Sequence, residues 1–151
     1  MAVILVPPKL SIWSYTSSDS PPQKGFGVSV KYIVQFDARD ITADQAYRAE
    51  ITLIGKDDAP HHDDILTKPP WLDGTIRPTE NSPVPLPILT REFLTSTSEM
   101  LLNESDDENP IFSGGDPTDH IRATVTLTPV NLPKKFTSPE SNEVTVNAGV
   151  T

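Results

Sequence analysis

The sequence predicts an all-β domain, an antiparallel two-sheet sandwich of immunoglobulin-like architecture with seven to eight strands and long proline-rich loops. Apolar and polar residues alternate at every second position in three segments, residues 28–36, 47–53 and 121–127. Successive side chains of a strand point to opposite faces, so this alternation is typical of strands with one buried face. The stretches between them carry turn signals and show no convincing long helix. Short strands separated by turns favour two sheets packed face to face.

The length and the proline content set the scale of this domain. The 151 residues fit a single domain, residues 1–151, that buries one core. Sixteen prolines are present, which is about twice the ordinary usage. Because proline has no N–H to donate to a strand ladder, these residues predict long and stiff connections between strands.

The charge and the absence of cysteine narrow the possible functions. The formal net charge is −9, and an acidic surface repels phosphate groups, so the sequence argues against binding nucleic acid or anionic membranes. The nearest approach to a basic patch is the pair Lys134 and Lys135. With no cysteine, disulfides, thiolate metal sites and cysteine nucleophiles are excluded.

The first apolar run, Ala2–Val6, ends at Pro7 and Pro8. It lacks a basic region before it, and it is too short for a signal peptide or a membrane-spanning helix. We therefore expect no membrane insertion and, by default, an intracellular protein. The run itself predicts a first edge strand or an arm that reaches a partner.

The N-terminal half contains most of the clear alternation. Lys9–Thr16 predicts a short strand, and residues 17–27 predict a loop because they are rich in serine, proline and glycine. The two central strands, at 28–36 and 47–53, follow. The connection between them is longer than a tight hairpin turn and predicts a single helical turn capped by Asp40 or Thr42.

The middle of the chain is rich in proline. Residues 55–87 contain seven prolines and predict one short strand near residues 75–77, with Trp71 covering an open end of the core. Residues 88–95 predict a strand. Residues 98–102 predict either a helical turn or a further strand, because their pattern fits neither period well.

The C-terminal part contains one loop and two strands. Residues 103–119 are acidic and contain glycine, which predicts a loop. Ile121–Thr128 predicts the third clear strand, and Glu143–Asn147 predicts a last one before the tail.

A stretch rich in histidine and aspartate, residues 57–64, contains the first candidate metal ligands. Imidazole and carboxylate groups together can hold zinc or a similar ion. Adjacent histidines on an extended chain point to opposite sides, so they do not readily share one metal. Because no metal motif is matched, the pattern favours a solvated acidic loop. The candidate ligands are Asp58, His61, His62 and Asp64.

A second acidic cluster surrounds two adjacent glycines, and its candidate ligands are Asp107 and Asp116. Carboxylate oxygens on such a loop suit calcium, but the spacing does not match the twelve-residue helix-loop-helix calcium loop. A solvated turn is therefore favoured, and no cofactor is predicted.

No catalytic motif is present. The chain lacks a nucleophile elbow, a phosphate-cradling glycine loop and a dinucleotide fingerprint. Pairs of carboxylates arise by chance in an acidic chain. The sequence therefore predicts neither an enzyme nor any catalytic residue.

Two functional interpretations remain. The first is a non-catalytic interaction or structural module that contacts a protein partner, or further copies of itself in a homo-oligomer, through loops or edge strands. Ile33 and Ile54 fall on the polar sides of the central strands and favour an apolar patch for such a partner. The alternative is a module that binds a carbohydrate or another ligand by stacking on aromatic rings, with or without calcium. The candidate ligand or partner residues for both are Trp13, Tyr15 and Trp71.

Overall fold

A computed structural model of the chain describes residues 1–16, 18, 20–22, 24–56, 64–65, 71–98 and 119–146. Strands dominate these residues, and one short helix accompanies them. Seven of the described strands have three or more residues and two have only two, in agreement with the seven to eight strands predicted. In chain order the elements are β1 Lys9–Thr16, β2 Lys24–Gln35, α1 Ala38–Ala43, β3 Tyr47–Lys56, β4 Asp64–Ile65, β5 Trp71–Ile76, β6 Ile88–Ser98, β7 Asp119–Pro129, β8 Phe136–Thr137 and β9 Val144–Val146.

The strands form two antiparallel sheets. The first sheet has the order β1-β2-β6, and the second has β3 and β7 at its centre. Strands β4 and β5 pair with β3, while β8 and β9 pair with β7. If the seven longer strands are lettered A to G, the sheets are A-B-E and D-C-F-G. Constant-type immunoglobulin domains have ABED and CFG, so this chain differs only in the sheet that its fourth strand joins. The predicted antiparallel sandwich is confirmed.

The core lies between the sheets and is built from the alternating positions of the longer strands. Each of these strands turns every second side chain inward, which is why the two-residue period of the sequence identified them. The phenols of Tyr32 and Tyr47 are the largest fully buried side chains. The other buried apolar residues include Val28, Val30, Val34, Ala49, Ile51, Leu53, Leu89, Phe93, Ile121, Ala123, Val125 and Leu127.

A capping box holds the start of helix α1. The Asp37 carboxylate accepts a hydrogen bond from the Asp40 N–H at 2.8 Å, and the Asp40 carboxylate accepts one from the Asp37 N–H at 3.0 Å. The single helical turn expected here is present, but its cap is Asp37 and not Asp40 or Thr42. Strand β2 and the buried Phe36 end directly before Asp37, so this first polar residue becomes the cap of the helix that begins at Ala38.

Asp40 also connects α1 to the second sheet. Its carboxylate accepts a hydrogen bond from the Tyr47 hydroxyl at 2.5 Å, and that hydroxyl accepts one from the Ala2 N–H at 3.0 Å. Burial, together with the hydrogen bond to Asp40, raises the pKa of Tyr47 to about 12.

Several segments differ in extent from the prediction, and strand β2 begins at Lys24, within residues 17–27 that were predicted to form a loop. The N-terminal run forms a single bridge, in which Val3 and Gln35 exchange two backbone hydrogen bonds of 3.0 and 2.8 Å. Strand β5 begins at Trp71, several residues before the predicted position. Strand β6 continues to Ser98, because the residues after Leu94 keep pairing with β2.

One side chain substitutes for a neighbouring strand at the edge of β1. The Asn142 Oδ1 accepts a hydrogen bond from the Leu10 N–H at 2.8 Å, and the Asn142 Nδ2 donates one to the Leu10 carbonyl at 3.0 Å. Both backbone groups of Leu10 on the side away from β2 are therefore occupied.

Candidate functional site

The outward-pointing residues of the first sheet form a surface that we name the aromatic face. Strand register brings side chains from β1, β2 and β6 next to one another across it, as in the rows Trp13–Gly27–Ser96 and Lys9–Lys31–Glu92. Its members are Lys9, Ser11, Trp13, Tyr15, Gly25, Gly27, Ser29, Lys31, Ile33, Ile88, Thr90, Glu92, Leu94 and Ser96.

Two glycines of β2 leave room for aromatic rings to lie across the sheet. A Cβ atom placed on Gly27 would stand 2.2 Å from Cε2 of the Trp13 indole. A Cβ atom placed on Gly25 would stand 3.1 Å from Cζ of the Tyr15 ring. Trp13 pairs with Gly27 and Tyr15 pairs with Gly25, so each ring covers the backbone opposite to it. Only glycine at position 27 leaves the indole in this place, because any larger residue there would occupy the space of the ring.

Both rings remain open to solvent on their other side. Trp13 is 48% exposed and Tyr15 is 41% exposed. Leu94, on the same face, is 62% exposed, and Ile33 and Ile88 are exposed as well. Scattered apolar side chains are ordinary on a protein surface, but here they belong to one face of one sheet.

Polar groups lie beside these apolar residues. The Ser29 hydroxyl donates a hydrogen bond to Glu92 Oε1 at 2.9 Å, which fixes that carboxylate across β2 and β6. Lys9 and Lys31 are exposed and are register partners. The aromatic face therefore carries two cations and one anion within an acidic protein.

Trp71 does not belong to the aromatic face. It is half-buried in β5, and its ring lies 6.0 Å from that of Phe93 with an angle of 32° between the planes. Trp71 thus connects the edges of the two sheets. Of the three aromatic residues selected from the sequence, the structure places Trp13 and Tyr15 together and Trp71 elsewhere.

An ionic cluster connects the first sheet to β5. Arg91 Nε donates to Asp73 Oδ2 at 2.9 Å, and Arg91 Nη2 donates to Asp73 Oδ1 at 3.2 Å. Arg91 Nη1 donates to Glu80, and the Tyr32 hydroxyl donates to Asp73 Oδ2 at 2.5 Å. Burial and this hydrogen bond raise the pKa of the Tyr32 phenol well above its usual range. The hydrogen bonds to Asp73 raise the pKa of Arg91 further.

The charged groups of this cluster are paired with one another inside the chain. Asp73 is only 9% exposed, and its carboxylate receives donors from both Arg91 and Tyr32. Sequence reasoning missed it, although one signal was present. Arg91 shares the inward parity of Leu89 and Phe93, and an inward charge on a strand requires a partner across the core.

The outer face of the second sheet is mainly polar along β3 and β7, and two exposed apolar residues, Ile65 of β4 and Leu72 of β5, lie beside β3. Its paired residues on β3 and β7 include Thr52 with Thr124 and Glu50 with Thr126. Ion pairs reach it from the segment before β9, namely Lys56 Nζ to Glu140 at 3.1 Å and Arg122 Nη1 to Glu140 at 3.4 Å.

The candidate metal ligands fall almost entirely outside the described residues. This holds for Asp58, His61, His62, Asp107 and Asp116, and for the side chain of Asp64, whose backbone lies in β4. Within the described ranges, no three histidine, aspartate or glutamate side chains are grouped closely enough to hold a metal ion. The metal hypotheses stay predictions.

No helix in the described part of the chain has the length and apolar character needed to cross a bilayer. No family model, no curated protein and no solved structure matches this chain. Functional inference therefore rests on the geometry of the aromatic face.

Proposed function

We propose that the domain is a non-catalytic interaction module that contacts a protein partner through the aromatic face. The observation that supports this is the pair of half-exposed rings, Trp13 and Tyr15, held against the sheet by Gly27 and Gly25. Aromatic residues are enriched in the cores of protein interfaces because they bury a large area with few rotatable bonds.

A purely structural role explains only part of this arrangement. A ring that covers a glycine protects the backbone of the neighbouring strand and stabilises the pairing. That role uses one side of the Trp13 indole and leaves about half of the side chain in solvent. The free side, together with the exposed Leu94, is apolar surface that a partner can cover.

The surrounding charges fit the rim of an interface. Lys9, Lys31 and Glu92 form one row of the aromatic face, two rows away from the row that contains Trp13. Apolar centres with polar rims are the usual organisation of protein contact surfaces. The two lysines also supply positive charge on a chain whose net charge is −9, which favours a partner with an acidic contact region.

Lysine footprinting in native extract and on the purified protein tests this proposal. Lys9 and Lys31 lie on the aromatic face, whereas the exposed Lys134 and Lys135 follow β7 and provide an internal control. We expect acetylation of Lys9 and Lys31 to fall several-fold in extract, with Lys134 and Lys135 unchanged. Equal labelling of all four lysines in the two samples would contradict a protein contact on this face.

A second candidate, a carbohydrate-binding module, is favoured by the same flat rings. A sugar presents an apolar face that stacks on an aromatic ring, and hydroxyl groups such as that of Ser11 would supply polar contacts. Fluorescence titration against an oligosaccharide array decides between the candidates. A sugar that quenches the wild type and the Trp71→Phe variant, but not Trp13→Ala, would replace the protein-partner proposal.

A further inference from the structure

Within the part of the chain that the structure describes, the backbone of β1 offers a set of unpaired groups on the side away from β2. In an antiparallel ladder each residue directs its N–H and C=O to one side, and successive residues alternate. Gln35 bonds to Val3, on the side of β2 where β1 lies, while Phe36 bonds to Pro87, on the side of β6. The odd-numbered residues of β2 therefore face β1.

The register then fixes which residues of β1 face outward. Odd-numbered residues of β2 pair with odd-numbered residues of β1, as Gly27 does with Trp13. The even-numbered residues of β1 direct their backbone groups to the open edge, and the bonds from Leu10 to Asn142 agree with this assignment. Among the described residues, nothing comparable occupies the outward groups of Ile12, Ser14 and Thr16.

Strand β1 also lacks the features that usually protect an edge. From Leu10 to Thr16 it contains no charged residue and no proline. Native sheets discourage edge pairing with charges, prolines, bulges or very short strands. The other described edges have such features. Strand β6 carries the inward Arg91, β5 carries Asp73 and pairs through a register shift, and β8 and β9 have two and three residues.

We infer that β1 pairs antiparallel with β1 of a second copy of this chain, about a two-fold axis at Ser14. The inference goes beyond the proposed function, because it concerns the backbone edge of the first sheet and not the contact through the aromatic face. In this register Ile12 lies opposite Thr16 of the second copy, and Ser14 lies opposite its own counterpart. All three outward residues of each copy are then satisfied.

Alternative registers closer to the N-terminus are blocked. An axis at Ile12 would place Leu10 opposite Ser14 of the second copy, and an axis at Trp13 would place it opposite Thr16. Both need the backbone groups of Leu10 that Asn142 already holds. The window of free groups is thus symmetric about Ser14, which is the property that self-pairing requires.

The side chains support this register. Trp13 comes to lie opposite Tyr15 of the second copy in a non-hydrogen-bonded pair, and each ring extends over its own β2, away from the seam. The two aromatic faces become one continuous surface. No charged residue faces another between Leu10 and Thr16, so the net charge of −9 on each chain produces no direct repulsion at the seam.

Cysteine crosslinking tests the register directly, because the chain contains no cysteine of its own. In Ser14→Cys, the two thiols meet across the axis at a backbone separation that a disulfide accepts, about 5.5 Å between Cα atoms. In the control Ser11→Cys, the same register separates them by about 20 Å. We expect at least a ten-fold faster covalent dimerisation of Ser14→Cys on oxidation. Equal rates would overturn the inference.

Proline substitution tests the edge without breaking the ladder inside the chain. The N–H of Ser14 faces outward, so Ser14→Pro removes an intermolecular donor and leaves the pairing of β1 with β2 intact. Light scattering against concentration should show dimers for the wild type and monomers for Ser14→Pro. Thr90→Pro, at the outward edge of β6, is the matched control and should dimerise normally, and circular dichroism confirms that all three are folded.

The outcomes separate the inference from the proposed function. A wild type that stays monomeric at every concentration, while Lys9 and Lys31 are protected in extract, overturns the self-pairing and supports a different partner on the aromatic face. Rapid crosslinking of Ser14→Cys with unprotected lysines supports the self-pairing and contradicts the proposed contact through the aromatic face.

Discussion

The outer faces of the two sheets differ in how their side chains are satisfied. On the second sheet the outward positions of β3 and β7 carry mostly threonines and charged residues, with the half-buried Ile54 among them, and Lys56 and Arg122 form ion pairs with Glu140. On the first sheet the outward positions carry Trp13, Tyr15 and other exposed apolar side chains. On the second sheet these charges find partners within the chain, and the exposed apolar residues Ile65 and Leu72 lie on the flanking strands β4 and β5. The aromatic face leaves apolar surface uncovered, and binding is therefore expected there.

The inner faces show the opposite distribution of charge. The second sheet turns only apolar side chains and the Tyr47 phenol into the core along β3. The first sheet turns Arg91 and Tyr32 inward, where Asp73 receives both. The first sheet thus combines an inward cation with outward aromatic rings. Burial alone therefore does not identify a surface for binding, because the buried polar groups here are paired within the core and the apolar groups outside are exposed.

The largest expected loss of stability comes from removing the inward-facing charge of Arg91. Arg91→Met leaves the Asp73 carboxylate, 9% exposed, without its cation, and removing one partner of such a buried pair costs about 3 kcal/mol. Urea unfolding measures this loss. The control Arg48→Met lies on the outer face of the second sheet and should change stability by less than about 0.5 kcal/mol. Similar losses in both variants would contradict the contrast between inner and outer charge.

The buried phenol of Tyr47 makes the stability of the domain depend on pH in the alkaline range. Its folded-state pKa is about 12, above an unfolded value of about 10. A raised folded-state pKa means that the stabilisation is complete below pH 10 and is lost as the pH rises toward 12. We expect the free energy of unfolding to fall across this range. Tyr47→Phe should make the decline shallower, and an unchanged slope would show that the phenol is not protected by the fold.

The aromatic face can be disrupted without unfolding the domain. In Gly27→Val, the new side chain takes the space of the Trp13 indole, which is exposed enough to swing into solvent. We expect a red-shifted tryptophan emission, loss of the lysine protection described above, and a stability change below about 1 kcal/mol. Thr52→Val on the second sheet is the control and should leave all three measurements unchanged. Retained protection in Gly27→Val would show that ring placement is not needed for contact.

The smallest effect is expected on the polar outer face. Arg122→Ala removes the ion pairs with Glu140 and Glu143, both at 3.4 Å on partly exposed side chains. Such pairs contribute about 0.5 kcal/mol and are screened by salt. Urea unfolding at low and high ionic strength should show a small loss that disappears in high salt. A loss as large as that of Arg91→Met would remove the distinction between the two sheets.

The strands could be predicted where buried apolar residues recur at every second position of the sequence. The alternation at 28–36, 47–53 and 121–127 identified β2, β3 and β7, because one apolar side chain per two residues can only be buried by an extended chain. Lys9–Thr16 was predicted with the bounds that β1 has. These assignments need no knowledge of the partner strand.

The features that the sequence did not show depend on partners distant in the chain. Thr95–Thr97 lacks an apolar alternation, yet it is strand because Gly27 and its neighbours on β2 pair with it. The outward orientation of Trp13 follows from the register of β1 on a glycine-bearing strand. The Arg91 cluster joins residues from β2, β6 and β5 and the turn at Glu80, which no local period can bring together.

Arg91 has one more consequence, for the size of any assembly. In the proposed dimer the two β1 edges pair with each other, so no further copy can add to the sheet through β1. The first sheet could then grow only by adding a strand to β6. That strand would pass close to the partly exposed guanidinium of Arg91, which is paired with Asp73. That arrangement discourages stacking of further sheets. We therefore expect the arginine that links the two sheets also to disfavour growth beyond the proposed dimer.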